Sequence, residues 1–200
     1  MTRGTHLVGA FALGLAALTL AIGHPMTGPT GTGPGGLGVD PGASITTFAW
    51  PVGLAYILIT LAGGLAPDLD KPRQLWGRLI ARLALGGHRH FSHSLLGFCV
   101  ASFLVALPLS LIQPSFTIPL RVFSVGFSAG YLSHLLLDSL TVEGVPWLYP
   151  WGRYFGLPPW SAIRIRTGSL AEQLVVVPGL LLYIGWLGYL RGGTVFELFR

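Results

Sequence analysis

Histidine and acidic side chains occur in short clusters, and each cluster stands at one end of a long apolar run. The clusters are Thr5 with His6, Pro67 to Asp70, His88 to Ser94, Ser133 to Asp138, and Glu172. Imidazole and carboxylate groups are the ligands that Zn, Mn and Fe take in many protein sites. The pattern therefore predicts a metal site at the ends of several helices.

The spacing within two clusters supports a shared site. His134 and Asp138 are four residues apart, so a helix directs both side chains to one point. Asp68 and Asp70 are two apart and follow Pro67, where an extended or turn backbone can bring both near a metal ion. A bound metal ion acidifies water and polarises phosphoryl or acyl oxygens, which predicts hydrolytic chemistry.

Roles follow from residue type. We predict that the metal ligands come from His6, Asp68, His88, His93, His134 and Asp138. Asp70 is predicted to act as a general base or to orient a ligand. Arg89 is predicted to contact an anionic oxygen of the substrate, because its planar fork matches phosphate. The roles of His90 and Glu172 stay open.

Each cluster also has a purely structural interpretation. His6 could be an interfacial residue, and Asp68 with Asp70 could form a turn followed by a helix cap. His134 and Asp138 could hydrogen-bond within their own helix, and Glu172 could be a helix N-terminal carboxylate. If the clusters had such independent roles, they would be expected at both ends of the helices, whereas the predicted helix order places all of them at one end.

Composition indicates the class of protein. Of 200 residues, 52% are hydrophobic and only 10% are charged, against about 25% charged in soluble domains. Several apolar runs approach the roughly 20 residues that cross a bilayer. We therefore predict one all-α domain over residues 1–200, an integral membrane helical bundle of about five transmembrane helices: 7–22, 45–66, 94–112, 118–137 and 174–190.

The connecting segments differ in composition. Residues 23–44 are rich in Gly and Pro and predict a flexible loop. Residues 71–89 are basic, with apolar side chains at helical spacing, and predict a short interfacial helix. Residues 145–160 are dense in Trp, Tyr and Pro, which favours the water–lipid boundary. Cys99 is the only cysteine, so an intramolecular disulfide is impossible.

Basic residues set the expected orientation. Nine of the twelve Lys and Arg fall at the N-terminus, in residues 71–89 or in the loop before the last apolar run. The positive-inside rule then places the N-terminus and both basic loops in the cytoplasm, with every His/Asp cluster at that boundary. We attribute the net charge of +5 to this bias and expect no nucleic acid partner. Arg3 with its apolar run could also be a cleaved leader, but the segment around Gly23 is a poor cleavage site and we expect it to be retained.

The motifs, in their order, resemble the YdjM-like family of small inner-membrane proteins, to which metal-dependent hydrolysis is ascribed. The resemblance rests on Thr5 with His6, Pro67 to Asp70, His88 to Ser94 and Gly130 to Asp138, and continues to about residue 172. It implies a membrane hydrolase whose metal ligands are drawn from the six residues named above. His90 and Ser92 depart from the family, which often has Gly and Thr there.

The resulting hypothesis is a membrane-bound hydrolase that uses a divalent cation, Zn first and Mn or Fe next, at the cytoplasmic membrane face. The expected substrate is an ester or phosphoester, with membrane lipids among the candidates. A metal-ion or proton transporter would instead carry its ionisable groups near the bilayer midplane and show repeats. A non-catalytic scaffold binding a cytosolic partner through residues 71–89 would leave the His/Asp clusters unexplained.

Overall fold

The computed structural model describes residues 1–23, 50–70, 91–110 and 117–198, and this part of the chain is all-helical. A 3-10 turn, Ala66–Asp70, continues the second helix, and a π-helical turn, Glu172–Val176, leads into the last. The five α-helices are α1 Arg3–Gly23, α2 Trp50–Leu65, α3 Leu95–Ser110, α4 Thr117–Ser139 and α5 Val177–Leu198. The predicted all-α class is confirmed.

Each predicted apolar run overlaps one of these helices, but the helices differ in length. Within the described residues, Arg3–Leu20 and Glu172–Leu190 are long and apolar enough to cross a membrane. The apolar stretches Gly53–Leu69 and Leu95–Pro108 are shorter. Helix α4 has the length, but its polar side chains lower its hydropathy. The five-span bundle therefore stays a prediction, as do the loop and interfacial helix predicted mostly for residues outside the described ranges.

Helix α4 occupies the centre of the fold. It packs most extensively against α2, then against α1 and α3, while α5 packs against α1. Two glycines allow the α2–α4 contact, because a Cβ on Gly130 would overlap the carbonyl oxygen of Thr60 and a Cβ on Gly63 that of Phe127. Small residues permit such close approach of helix backbones. The ends of α2 and α4 are thereby held side by side.

An aromatic core lies next to the predicted site. Phe127, Tyr131 and Leu135 of α4 form a buried cluster with Val145, and side chains from α2 and α3 pack against it. The Tyr131 hydroxyl donates a 2.5 Å hydrogen bond to the carbonyl oxygen of Ser92. Since Ser92 precedes a predicted ligand, the core fixes the turn that leads into α3.

In the segment between α4 and the π-helical turn, backbone hydrogen bonds join residues that are distant along the segment. Isolated bridges join Thr141 to Ile165 and Val145 to Phe155. Trp151 and Trp160 point outward, with 73% and 71% of their surface exposed. Such exposed aromatics suit the predicted position at the water–lipid boundary, which stays a prediction.

Candidate metal centre

Five of the six predicted metal ligands meet in one place. They come from four separate segments and are all buried: His6, Asp68, His93, His134 and Asp138. Two triads of their ligand atoms, each lying within 4.8 Å of one another, share His134. The described residues thus form one cluster that could hold a metal ion.

Helix ends position these side chains. His6 lies in the first turns of α1, and Asp68 lies in the 3-10 turn directly after α2. His134 and Asp138 lie one turn apart near the end of α4. The ends of adjacent helices meet here because the alternation of chain direction brings one end of each helix to the same level.

His93 is held just outside α3 by a local cap. The Ser94 hydroxyl accepts a 3.0 Å hydrogen bond from the N–H of Gly97 and donates to the carbonyl oxygen of Phe91 at 2.6 Å. A side-chain oxygen that accepts a hydrogen bond from the N–H three residues later is the usual N-cap contact. A Cβ on Gly97 would overlap that same Phe91 carbonyl, so glycine is needed for the turn to close.

The inner part of the cluster has the spacing of metal ligands. The Nε2 atom of His134 lies 3.4 Å from Oδ2 of Asp138 and 4.0 Å from Oδ1 of Asp68. The Nε2 atom of His93 lies 3.6 Å and 3.9 Å from the same two oxygens. Metal–nitrogen bonds of about 2.1 Å in tetrahedral geometry separate neighbouring ligand atoms by about 3.4 Å. These imidazole–carboxylate distances are close to that spacing, and the atoms of Asp68, His93 and His134 form one triad that could hold a cation.

The hydrogen bond of His134 fixes which ring atom faces inward. Its Nδ1 lies 2.7 Å from the carbonyl oxygen of Gly64. A carbonyl oxygen only accepts, so Nδ1 carries the proton and, in the neutral ring, Nε2 presents a lone pair. That Nε2 atom is buried and has no hydrogen-bond partner among the described residues. A lone pair facing two carboxylates is favourable when a cation lies between them.

The two oxygens of Asp138 have different neighbours. Oδ2 faces His93 and His134, while Oδ1 lies 3.2 Å from Nε2 of His6 and accepts a 2.6 Å hydrogen bond from the α-amino group of Met1. The His6 ring stacks on that of His134, with centroids 3.7 Å apart and 8° between planes. His6 thus contacts the Asp138 oxygen that does not face His93 and His134. It belongs to the triad of His6, His134 and Asp138.

The two carboxylates of the cluster are slightly less buried than its imidazoles. The side chains of Asp68 and Asp138 keep 10% and 8% of their surface exposed, against 3% or less for the three imidazoles.

Several predicted residues are not placed. The backbone of Asp70 ends the 3-10 turn, but its side chain lies outside the described part of the structure, as do His88, Arg89 and His90. Their proposed roles stay predictions. Glu172 is buried but joins neither ligand triad; it accepts hydrogen bonds from the N–H of Thr2 and from the N–H of Gly168, four residues before it.

One group that helps to form the site cannot be recognised from the residue types in the sequence. The Gly64 carbonyl that selects the ring tautomer of His134 is a backbone group, so residue type does not reveal it. Gly63 and Gly64 do indicate close helix packing, and that packing brings the carbonyl within reach of α4.

No solved structure matches this chain. It is 34% identical over 142 residues to "Uncharacterized protein YvsG" of Bacillus subtilis (strain 168), which covers 67% of this chain and 81% of the relative. It is 36% identical over 101 residues to "Inner membrane protein YdjM" of Escherichia coli (strain K12), covering 47% of this chain and 48% of the relative. The family described as YdjM inner membrane protein matches residues 1–194. The chain therefore belongs to the YdjM family of inner membrane proteins.

Proposed function

We propose that this protein is a membrane-bound, metal-dependent hydrolase acting on an ester or phosphoester. The observation that carries the proposal is the inner cluster, in which the Nε2 atoms of His93 and His134 each lie within 4.0 Å of carboxylate oxygens of both Asp68 and Asp138. The inward lone pair of His134 supports it further, because the Gly64 hydrogen bond commits the ring to that tautomer.

The chain's own groups would hold and orient the cation. Oδ2 of Asp138, Oδ1 of Asp68 and Nε2 of His93 and His134 are the proposed ligand atoms, with zinc as the first candidate and manganese or iron as the others. When bound, such a cation lowers the pKa of a coordinated water and polarises an ester or phosphoryl oxygen. His6 would hold the second oxygen of Asp138, as ligand partners behind metal sites commonly do.

The number of protein ligands bears on whether the proposed metal site could be catalytic or structural. Structural zinc sites are closed by four protein ligands, whereas catalytic sites keep a position for water or substrate. The proposal therefore requires a coordination number above four or the release of one ligand. We propose that this position lies next to Asp68 and Asp138, whose side chains are slightly less buried than the imidazoles.

The site's place at the helix ends supports a lipid-borne substrate. The start of α1, the end of α2, the start of α3 and the end of α4 all contribute to the cluster. A site at the ends of apolar helices would meet lipid headgroups while the acyl chains remain in the bilayer. We propose that five helices span the membrane with this face in the cytoplasm, with Asp70 as general base and Arg89 contacting the substrate.

Metal content tests the proposal directly. Detergent-purified wild type should contain one equivalent of Zn, Mn or Fe by elemental mass spectrometry, and Asp138→Asn should contain almost none. Glu143→Gln removes an exposed carboxylate outside the cluster and should retain the metal. Metal-loaded wild type should then hydrolyse lipid phosphoesters or esters in a screen, and Asp138→Asn should not.

Other results would change the conclusion. Two equivalents of metal, with one lost in His6→Ala, would make His6 a ligand of a second ion. Wild type that holds no metal after reconstitution with Zn, Mn or Fe would contradict the proposal. Firm binding without hydrolysis of any lipid ester or phosphoester would indicate a structural metal site.

A further inference from the structure

Glu172 is a fully buried carboxylate that connects two distant segments. Its Oε1 atom accepts hydrogen bonds from the N–H of Thr2 at 2.7 Å and from the hydroxyl of Thr5 at 2.5 Å. Its Oε2 atom accepts from the N–H of Gly168 at 2.7 Å. We call these three hydrogen bonds the Glu172 bridge. The carboxylate is 0% exposed, so its charge depends on such donors for stabilisation.

The bridge meets α1 at the residues that lead into the cluster. Thr5 immediately precedes His6, and the N–H of His6 donates to the carbonyl oxygen of Thr2 at 3.1 Å. The Thr2 and Thr5 hydroxyls lie 2.8 Å apart, so the first turn of α1 is one hydrogen-bonded unit. The carboxylate attached to this unit comes from a different helix, 170 positions along the chain.

This attachment constrains His6 more than an ordinary helix cap would. A capping side chain from the same segment satisfies free N–H groups but leaves the helix able to rotate or slide. Glu172 instead fixes the first turn of α1 relative to Gly168 and α5. Two contacts depend on this position of α1. They are the stacking of the His6 ring on that of His134 and the 3.2 Å distance from Nε2 of His6 to Oδ1 of Asp138.

We propose that Glu172 is a positioning residue, which holds His6 against Asp138 and His134 in the cluster. Its effect on metal binding rests on the proposed function, but its effect on His6 does not. Groups that orient metal ligands from behind commonly change metal affinity about 10- to 100-fold when removed. The same range is expected for Glu172, acting through His6 on Asp138.

The test compares Glu172→Ala and Glu172→Gln with wild type in the detergent-purified full chain, with Glu143→Gln as the matched control. Two readouts need no metal: hydrogen exchange at the amides of Thr2 and Gly168, and carbethoxylation of His6 by diethyl pyrocarbonate, located by peptide mass spectrometry. Both rates should rise in Glu172→Ala and rise less in Glu172→Gln, which retains one acceptor oxygen. The control should match wild type.

The metal readout is the affinity and visible absorption spectrum of bound Co²⁺. Glu172→Ala should bind Co²⁺ about 10- to 100-fold more weakly with an altered ligand-field spectrum, and Glu172→Gln should lie between it and wild type. A purely structural role would lower stability without changing the spectrum. Should Glu172→Ala fail to fold, Thr5→Val, which removes one donor at nearly constant size, should give smaller shifts in the same direction.

The outcomes separate the two proposals. Unchanged His6 reactivity in a folded Glu172→Ala or Thr5→Val variant overturns the positioning role, as does faster amide exchange with unchanged Co²⁺ affinity and spectrum. Absence of Co²⁺ binding in wild type would count against the metal site alone, and His6 reactivity would then decide the role of Glu172.

Discussion

His134 combines two separable interactions, one through each ring nitrogen. Nδ1 donates to the Gly64 carbonyl and holds α4 to the end of α2, while Nε2 faces the carboxylates of Asp68 and Asp138. Removing the ring therefore has a structural consequence without metal and a second consequence with it. Stability measurements in both conditions can distinguish them.

We expect His134→Ala to lower the free energy of unfolding of the metal-free protein by roughly 1–3 kcal/mol, because the Gly64 carbonyl loses its donor. Zinc at 100 times its dissociation constant should stabilise wild type by about 2.7 kcal/mol and His134→Ala by almost nothing. Denaturant unfolding in mixed micelles, with zinc and with chelator, measures both. An equal zinc effect in the two proteins would exclude His134 as a ligand.

Residue types and spacing were sufficient to nominate the side chains of this cluster, but not their arrangement. The four-residue spacing of His134 and Asp138 predicts a common helix face, and the structure has both on α4. That Oδ1 of Asp138 meets His6 while Oδ2 faces His93 could not be predicted. Such distances depend on how α1 and α3 are set against α4, which no local pattern specifies.

Among the helices, the contact between α2 and α4 sets the level at which the ligands meet. Asp68 follows α2 and Asp138 ends α4, so sliding one helix along the other would move these carboxylates apart. Gly63 and Gly130 bring the two backbones together, each opposite a carbonyl oxygen of the other helix. Separation of the helices should therefore affect stability and metal binding together.

We expect Gly130→Ala to destabilise the fold by roughly 1–3 kcal/mol, as overpacking does, and to weaken metal binding. Gly185→Ala is the matched control, since a Cβ there meets nothing within 4 Å; its effect on both quantities should be small. Unfolding in mixed micelles and metal content measure the two effects. Equal behaviour of the two variants would show that the close approach at Gly130 is not required.

Helix number was predictable because each apolar run is bounded by polar or Gly/Pro-rich sequence, and the five runs correspond to α1 through α5. Two features were not. The π-helical turn Glu172–Val176 has no sequence pattern that distinguishes it from an α-helical start. Helix α4 carries Ser128, His134 and Asp138 among its polar residues, so its hydropathy reflects packing and the site as well as the surroundings of the helix.

For the molecule as a whole, the open question is which helices cross the membrane and in which direction. The ligand geometry requires the start of α1, the end of α2, the start of α3 and the end of α4 to lie together. Helices that alternate in direction satisfy this requirement. Alternation through five spans is the topology that the distribution of basic residues predicts.

We expect residue 152, in the loop between α4 and α5, to face the cytoplasm. Gly152→Cys in a Cys99→Ala background would carry a single cysteine, and a Cβ at this position meets nothing within 4 Å. A membrane-impermeant maleimide should label it in inverted vesicles and leave it unlabelled in right-side-out spheroplasts. The reverse pattern would contradict the predicted orientation while leaving the ligand geometry intact.

The Glu172 bridge also has a consequence for timing. It joins residues 170 positions apart, so it cannot form until residue 172 has been made. At about 5–20 residues per second, the first turn of α1 waits on the order of ten to thirty seconds for its partner. His6 therefore takes its final position only after residue 172 has been added, later than the synthesis of its partners Asp138 and His134.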